Sequence, residues 1–144
     1  MNSAKVSTCE RRIDMEKVLK RLTLSFFGRG KHKITPEKFL AMDKAVLLDV
    51  RSEKEVATLS FGLKHHCNIE VLNIPLDQLP ARIDEIPRDK PIAVFCSAVV
   101  RSAIAFVYLL QQGFSEARII EGGYTVLAEA LKPGKVVDVL EAEH

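Results

Sequence analysis

The chain contains no tryptophan, and only three of its 144 residues are cysteine. Those three, Cys9, Cys67 and Cys96, are odd in number, far apart and without a Cys-x-x-Cys pair, which argues against a disulfide framework or a cysteine-built zinc site. A reducing compartment is the expectation, with one thiol available for chemistry. No apolar run approaches the roughly 18 residues that a spanning helix needs, and the N-terminus lacks an apolar core followed by a small-residue cleavage site. No membrane segment is therefore expected, and the expected location is cytoplasmic. A Gly-rich phosphate loop and a cluster of ligating residues are missing too, so neither a cofactor nor a metal is expected. Charge of one sign does not dominate, the formal balance being +2, and a nucleic-acid partner is not expected.

What is present fits one ordinary domain. The apolar fraction of 47% and charged fraction of 28% are those of a globular chain, which excludes disordered and collagen-like classes. The balance hides an asymmetry: residues 1–33 hold nine Lys/Arg against three Asp/Glu, leaving 12 against 16 for residues 34–144. This shift marks the expected boundary before Ile34. From Asp14, the expected N-cap, apolar Met15, Val18, Leu19, Leu22 and Phe26 recur at helical spacing among Lys17, Lys20 and Arg21. They predict a basic amphipathic helix, closed by a linker at Gly28 and Gly30. Its apolar face can pack on its own domain, on a dimer mate, or on a partner or membrane surface.

Beyond the linker, strands and helices alternate. Thr35-Pro36 opens a short helix, and the apolar run from Ala45 to Val50 reads as a buried strand. Ser52-x-x-Glu55 supplies a capping box for the next helix. Further strands are predicted at Val71–Ile74, Pro91–Cys96 and Arg118–Glu121. Helices are predicted over Leu76–Ile86, Arg101–Gln112 and Tyr124–Leu131, with Gly113 at a left-handed cap and Pro133-Gly134 as the final stop. Continuous apolar strands alternating with helices imply a mostly parallel sheet covered on both faces. In such sheets the ligand crevice lies beyond the carboxyl ends of the strands, where Asp49, Cys96 and Glu121 fall.

Cys96 ends the most apolar strand, four residues separate it from Arg101, and a buried helix starts on the far side of the loop. The loop amides can turn inward as a nest, the helix dipole adds partial positive charge, and Arg101 adds a full one. All three favour thiolate, the nucleophilic form, so Cys96 is the expected reactive thiol. A small core cysteine is the competing structural reading. His65-His66-Cys67 reads as a solvated loop, since adjacent residues chelate poorly.

The segments Leu48-Asp49-Val50-Arg51, Asn73-Ile74-Pro75-Leu76, Cys96-x-x-x-x-Arg101-Ser102 and Glu121-Gly122-Gly123, in this order, resemble the signatures of the rhodanese family from about Ile34 to Lys135. The resemblance implies an α/β fold, a three-layer rhodanese-like sandwich with a mostly parallel sheet flanked by helices. The implied organisation is 1–33 as N-terminal helix and linker, 34–135 as the domain and 136–144 as a C-terminal tail. It also implies a sulfurtransferase or persulfide carrier. Cys96 would take sulfane sulfur from a small anionic donor, thiosulfate or a persulfide, and pass it to a thiol or cyanide acceptor. Arg101 would bind the donor, and the substrate cradle would be Ser97, Ala98, Val99 and Val100, with Ser97 and Ser102 adding hydroxyls. Asp49 and Arg51 are read as fold residues beside the site. Related phosphatases and arsenate reductases place five residues between Cys and Arg; four, as here, suit an added sulfur atom better.

The chain departs from the family pattern in three places. Val99-Val100 stands where active loops carry glycine, and a β-branched residue resists positive φ. The usual His-x-x-Gly-Ala is replaced by a longer stretch at residues 60–70, and Leu127 lies near the place of the usual tryptophan. The alternative reading is a catalytically weak rhodanese-like module that binds a partner through its basic N-terminal helix. A homodimer is left open.

Overall fold

The computed structural model describes residues 12–60, 63 and 66–142. Cys9 and His65, and with them residues 1–11 of the basic segment and 143–144 of the expected tail, lie outside the described residues. The apolar runs form the expected strands: β2 (Ala45–Asp49), β3 (Ile69–Asn73), β4 (Ile92–Phe95) and β5 (Ala117–Ile120). A two-residue strand, β1 (Lys33–Ile34), completes a parallel sheet in the order β1-β5-β4-β2-β3. Two residues carry no periodic signal, so β1 is visible only through its pairing with Ile119 and Ile120.

Side-chain alternation divides the interior into two cores. Val46 and Leu48 of β2, Ile92 and Val94 of β4, and Cys96 just beyond it face one layer. Ala45, Leu47, Ala93 and Phe95 face the other. Each fully buried Leu, Val or Phe contributes about 1.5–3 kcal/mol, so these central strands fix where the loop after β4 emerges.

Capping chemistry sets the helices. Thr35 accepts the Lys38 amide at 3.3 Å and Pro36 opens α3 (Pro36–Leu40). Ser52 and Glu55 form a reciprocal capping box at α4 (Glu53–Thr58). The helix expected over Leu76–Ile86 is instead three short pieces, 3-10 turns at Leu76–Gln78 and Ile83–Glu85 around α5 (Leu79–Arg82). Pro80 lacks the amide that would continue a helix from Leu76. Behind the sheet, α6 (Val100–Gln111) ends before Gly113, whose φ is +89°, and α7 (Gly123–Ala130) follows β5. Pro133 does more than stop that helix: it opens another, α8 (Pro133–Ala142), where a tail was expected.

The N-terminal amphipathic segment is two helices rather than one, α1 (Met15–Arg21) and α2 (Leu24–Gly28). Asp14 has no side-chain cap bond, and Thr23 restarts the helix by accepting the Phe26 amide at 3.2 Å. Val18 is fully buried among core residues that include Leu109 and Leu110 of α6. The Ile13 amide donates to Gln111 O at 2.6 Å, and the Phe26 ring lies 6.4 Å from that of Phe106. The stretch before β3 also departs from a fully solvated loop. Cys67 is exposed, but His66 is buried because Leu63 and Ile69 pack inward and their backbones bond to that of His66.

Candidate active site

Cys96 leaves the C-terminal end of the central strand β4, on the face covered by α6. Only 1% of the residue is exposed, and its side chain points at the start of α6, where the Ser102 amide donates to Sγ at 3.3 Å. Burial alone pushes the thiol pKa up, but the Ser102 hydroxyl and the amides of Ser102, Ala98 and Val99 outweigh it. The result is a thiol held below its ordinary range. Thiolate is thus stabilised by a nest of hydrogen bonds from the loop and the start of α6.

That nest requires an unusual backbone. Val99 has φ 78° and ψ −29°, the only non-glycine residue at positive φ among the described residues, and it is the N-cap of α6. Valine therefore occupies the left-handed conformation that glycine would adopt freely. The surrounding contacts hold it there. Ala103 N donates to Val99 O at 2.9 Å, and Tyr124 N donates to Ser97 O at 3.2 Å. Gly123 permits that approach, since a Cβ on it would lie 2.8 Å from Ser97 O.

Arg101 stands beside the loop in a bidentate pair with Glu55, Nη1 to Oε1 at 2.6 Å and Nη2 to Oε2 at 2.8 Å. A further donation reaches Ser97 Oγ at 3.2 Å. Arg101, together with the capping-box contacts of Ser52, holds the Glu55 carboxyl down to about 2. Glu55 was hidden in the sequence because the capping box accounts for it completely as a helix start. The arginine's need for a partner was the only signal of its second role.

The expected residues separate by position. Cys96 and Ser102 are buried together, Ala98 and Val99 supply amides, and Ser97 ties the loop to Arg101. Val100 is 69% exposed at the rim. Asp49 and Arg51 form a buried pair with Nη2 to Oδ2 at 2.7 Å, and Arg51 also donates to Leu59 O and lies over the Phe95 ring. Asn73 donates to the carbonyls of Asp49 and Arg51, clamping the ends of β2 and β3 beneath the loop. Glu121, also at a strand end, pairs with Lys33 at 2.8 Å rather than with a loop residue. Among the described residues no group of three or more His, Cys, Asp or Glu is placed to hold a metal ion, and no helix is long and apolar enough to cross a membrane.

Comparison with known proteins adds an independent observation. Residues 35–130 match the family model described as "Rhodanese-like domain". A protein of Allochromatium vinosum named "Sulfurtransferase" is 30% identical over 81 residues, 56% of this chain and 69% of that protein. The uncharacterized protein YqhL of Bacillus subtilis is 36% identical over 103 residues, 71% of this chain and 76% of its own. The crystal structure of a rhodanese-related protein from Thermoplasma volcanium superposes with a TM-score of 0.58 at 29% identity, covering 71% of this chain and 95% of that one.

Proposed function

Because the chain belongs to the rhodanese-like domain family, we propose that it is a sulfurtransferase in which Cys96 carries sulfane sulfur as a persulfide. The observation that carries this reading is the hydrogen-bonded nest at Sγ, which holds the Cys96 pKa down although burial opposes it. With thiosulfate as donor, the Cys96 thiolate attacks the outer sulfur. A new S–S bond forms, the S–S bond of thiosulfate breaks, and its electron pair leaves on sulfite. With an organic hydropersulfide the same attack expels a thiolate, which takes up the hydropersulfide proton. In either case Cys96-S-S⁻ remains, and the amides of Ala98, Val99 and Ser102 are suited to the added negative sulfur. A thiol or cyanide acceptor then attacks the outer sulfur and regenerates the Cys96 thiolate, giving double-displacement kinetics.

The alternative, partner binding through the basic N-terminal helix, has less support, because α1 directs Val18 into the domain's own core. Intact-mass measurement after exposure to thiosulfate or to a hydropersulfide tests the proposal. One added sulfur atom is expected on the wild type, on Cys9→Ser and on Cys67→Ser, and none on Cys96→Ser. Loading that survives in Cys96→Ser refutes it.

A further inference from the structure

Resting on the sulfur-transfer reading, we propose that Glu55 is a specificity-determining residue that selects an organic hydropersulfide as donor over the thiosulfate dianion. Arg101 is the cation beside the loop, yet Glu55 takes donations from both its terminal nitrogens, at 2.6 and 2.8 Å. A dianion approaching Cys96 meets an ion pair in place of a free guanidinium. To engage Arg101 it must displace a carboxylate that is itself fixed, since Glu55 Oε1 accepts from Ser52 N at 3.2 Å and from Ser52 Oγ at 3.0 Å. Arg51, the neighbouring guanidinium, is matched in the same way by Asp49. The attacking thiolate adds one more negative charge, and the loop amides that offset it are neutral dipoles, so a dianionic donor meets more repulsion than a donor of lower charge.

A second observation points the same way. Val100 and Ile104 lie one helical turn apart on α6 and are 69% and 55% exposed, which gives the loop an apolar rim. Such a rim suits the carbon substituent of R–S–SH and offers nothing to a sulfonate group. The favoured step is Cys96-S⁻ + R–S–SH → Cys96-S-S⁻ + RSH: the Sγ–S bond forms, the donor S–S bond breaks, and the hydropersulfide proton passes to the leaving thiolate. No oxidant or reductant is consumed.

The test compares kcat/KM for thiosulfate with kcat/KM for the hydropersulfide of N-acetylcysteine methyl ester, a donor whose only ionisable group is the hydropersulfide. Glu55→Gln retains the capping-box oxygen, and Glu55→Asp retains the charge. The thiosulfate-to-hydropersulfide ratio is expected to rise about tenfold in Glu55→Gln, the size expected for removing a unit charge close to a dianion in high dielectric, and to show no such rise in Glu55→Asp. In the wild type, adding KCl screens the repulsion, so the ratio is expected to climb with ionic strength. This measurement needs no variant to fold. A ratio unmoved in folded Glu55→Gln, or one that falls with salt in the wild type, overturns the selectivity. Failure of both donors to load Cys96 instead refutes sulfur transfer itself.

Discussion

Val99→Gly and Val99→Ala form a pair whose relative stability reads the loop backbone directly. Both substitutions remove a side chain that is partly buried against the core, and half of two methylene equivalents at ~0.8 kcal/mol each gives a shared loss of about 0.8 kcal/mol. They differ in what positive φ demands of them. With φ at 78°, alanine retains a left-handed cost of ~1–2 kcal/mol that glycine escapes. Against this, glycine has the greater unfolded-state entropy, a disadvantage of about 0.5–1 kcal/mol relative to alanine. The balance leaves Val99→Gly more stable than Val99→Ala by about 0.5–1 kcal/mol. At negative φ only the entropic term would survive, and the order would reverse by a similar amount. Urea denaturation resolves the two cases, because at a slope of ~2 kcal/mol per molar the reversal moves the difference in midpoints by about 0.5–1 M.

The same pair tests whether the strain disables the thiol. The Val99 amide contributes to the sulfur nest, and the loop around it is tied down by Tyr124 N on Ser97 O, by Arg101 on Ser97 Oγ and by Ala103 N on Val99 O. A strained residue persists where its neighbours over-determine it. Glycine keeps the amide and removes the strain, so the midpoint of alkylation rate against pH is expected to be the same in Val99→Gly as in the wild type. Alanine more stable than glycine, or a midpoint that falls in the glycine variant, would refute the reasoning: the valine loop would then spend much of its time outside the nest.

Three further outcomes follow from the site and the core. Arg101→Lys keeps the charge but loses the planar fork that grips Glu55, and turnover is expected to fall roughly tenfold, well beyond any loss of thermal stability; wild-type kinetics would leave Arg101 no role beyond the helix start. Val18→Ala is expected to destabilise the fold by about 2 kcal/mol in urea, and deletion of residues 1–30 to lower the unfolding midpoint further, because α1 completes the core over α6; an unchanged midpoint would make that segment an appendage. Glu55 has a folded pKa depressed from 4.5 to about 2, so its contribution to stability is present above about 4.5 and is lost as pH falls through about 2. A carboxyl NMR titration should place its midpoint near 2, and Glu55→Gln should remove that limb of the acid profile.

How much of this was legible in the sequence depends on whether a residue's local pattern and its tertiary role coincide. They coincide in β2 and β4, where uninterrupted apolar runs announce strands buried on both faces, and in Thr35-Pro36 and Ser52-x-x-Glu55, whose caps form as read. They diverge wherever a non-local partner decides. β1 exists only because Ile119 and Ile120 lie alongside it, and one amphipathic run becomes α1 and α2 because Thr23 supplies a second cap between Leu22 and Leu24. Cys96 could be placed at a strand end before a helix from spacing alone. The conformation of Val99 could not, because local sterics weigh against a left-handed valine, and the contacts of Tyr124, Gly123 and Arg101 that hold the loop come from elsewhere in the fold. Glu55 is the sharpest case. Its capping box satisfies every local requirement, and the same carboxylate reaches 46 residues along the chain to Arg101. A helix start and a loop cation thereby share one group, so the charge that an anionic donor meets is set by a residue whose sequence context speaks only of helix initiation.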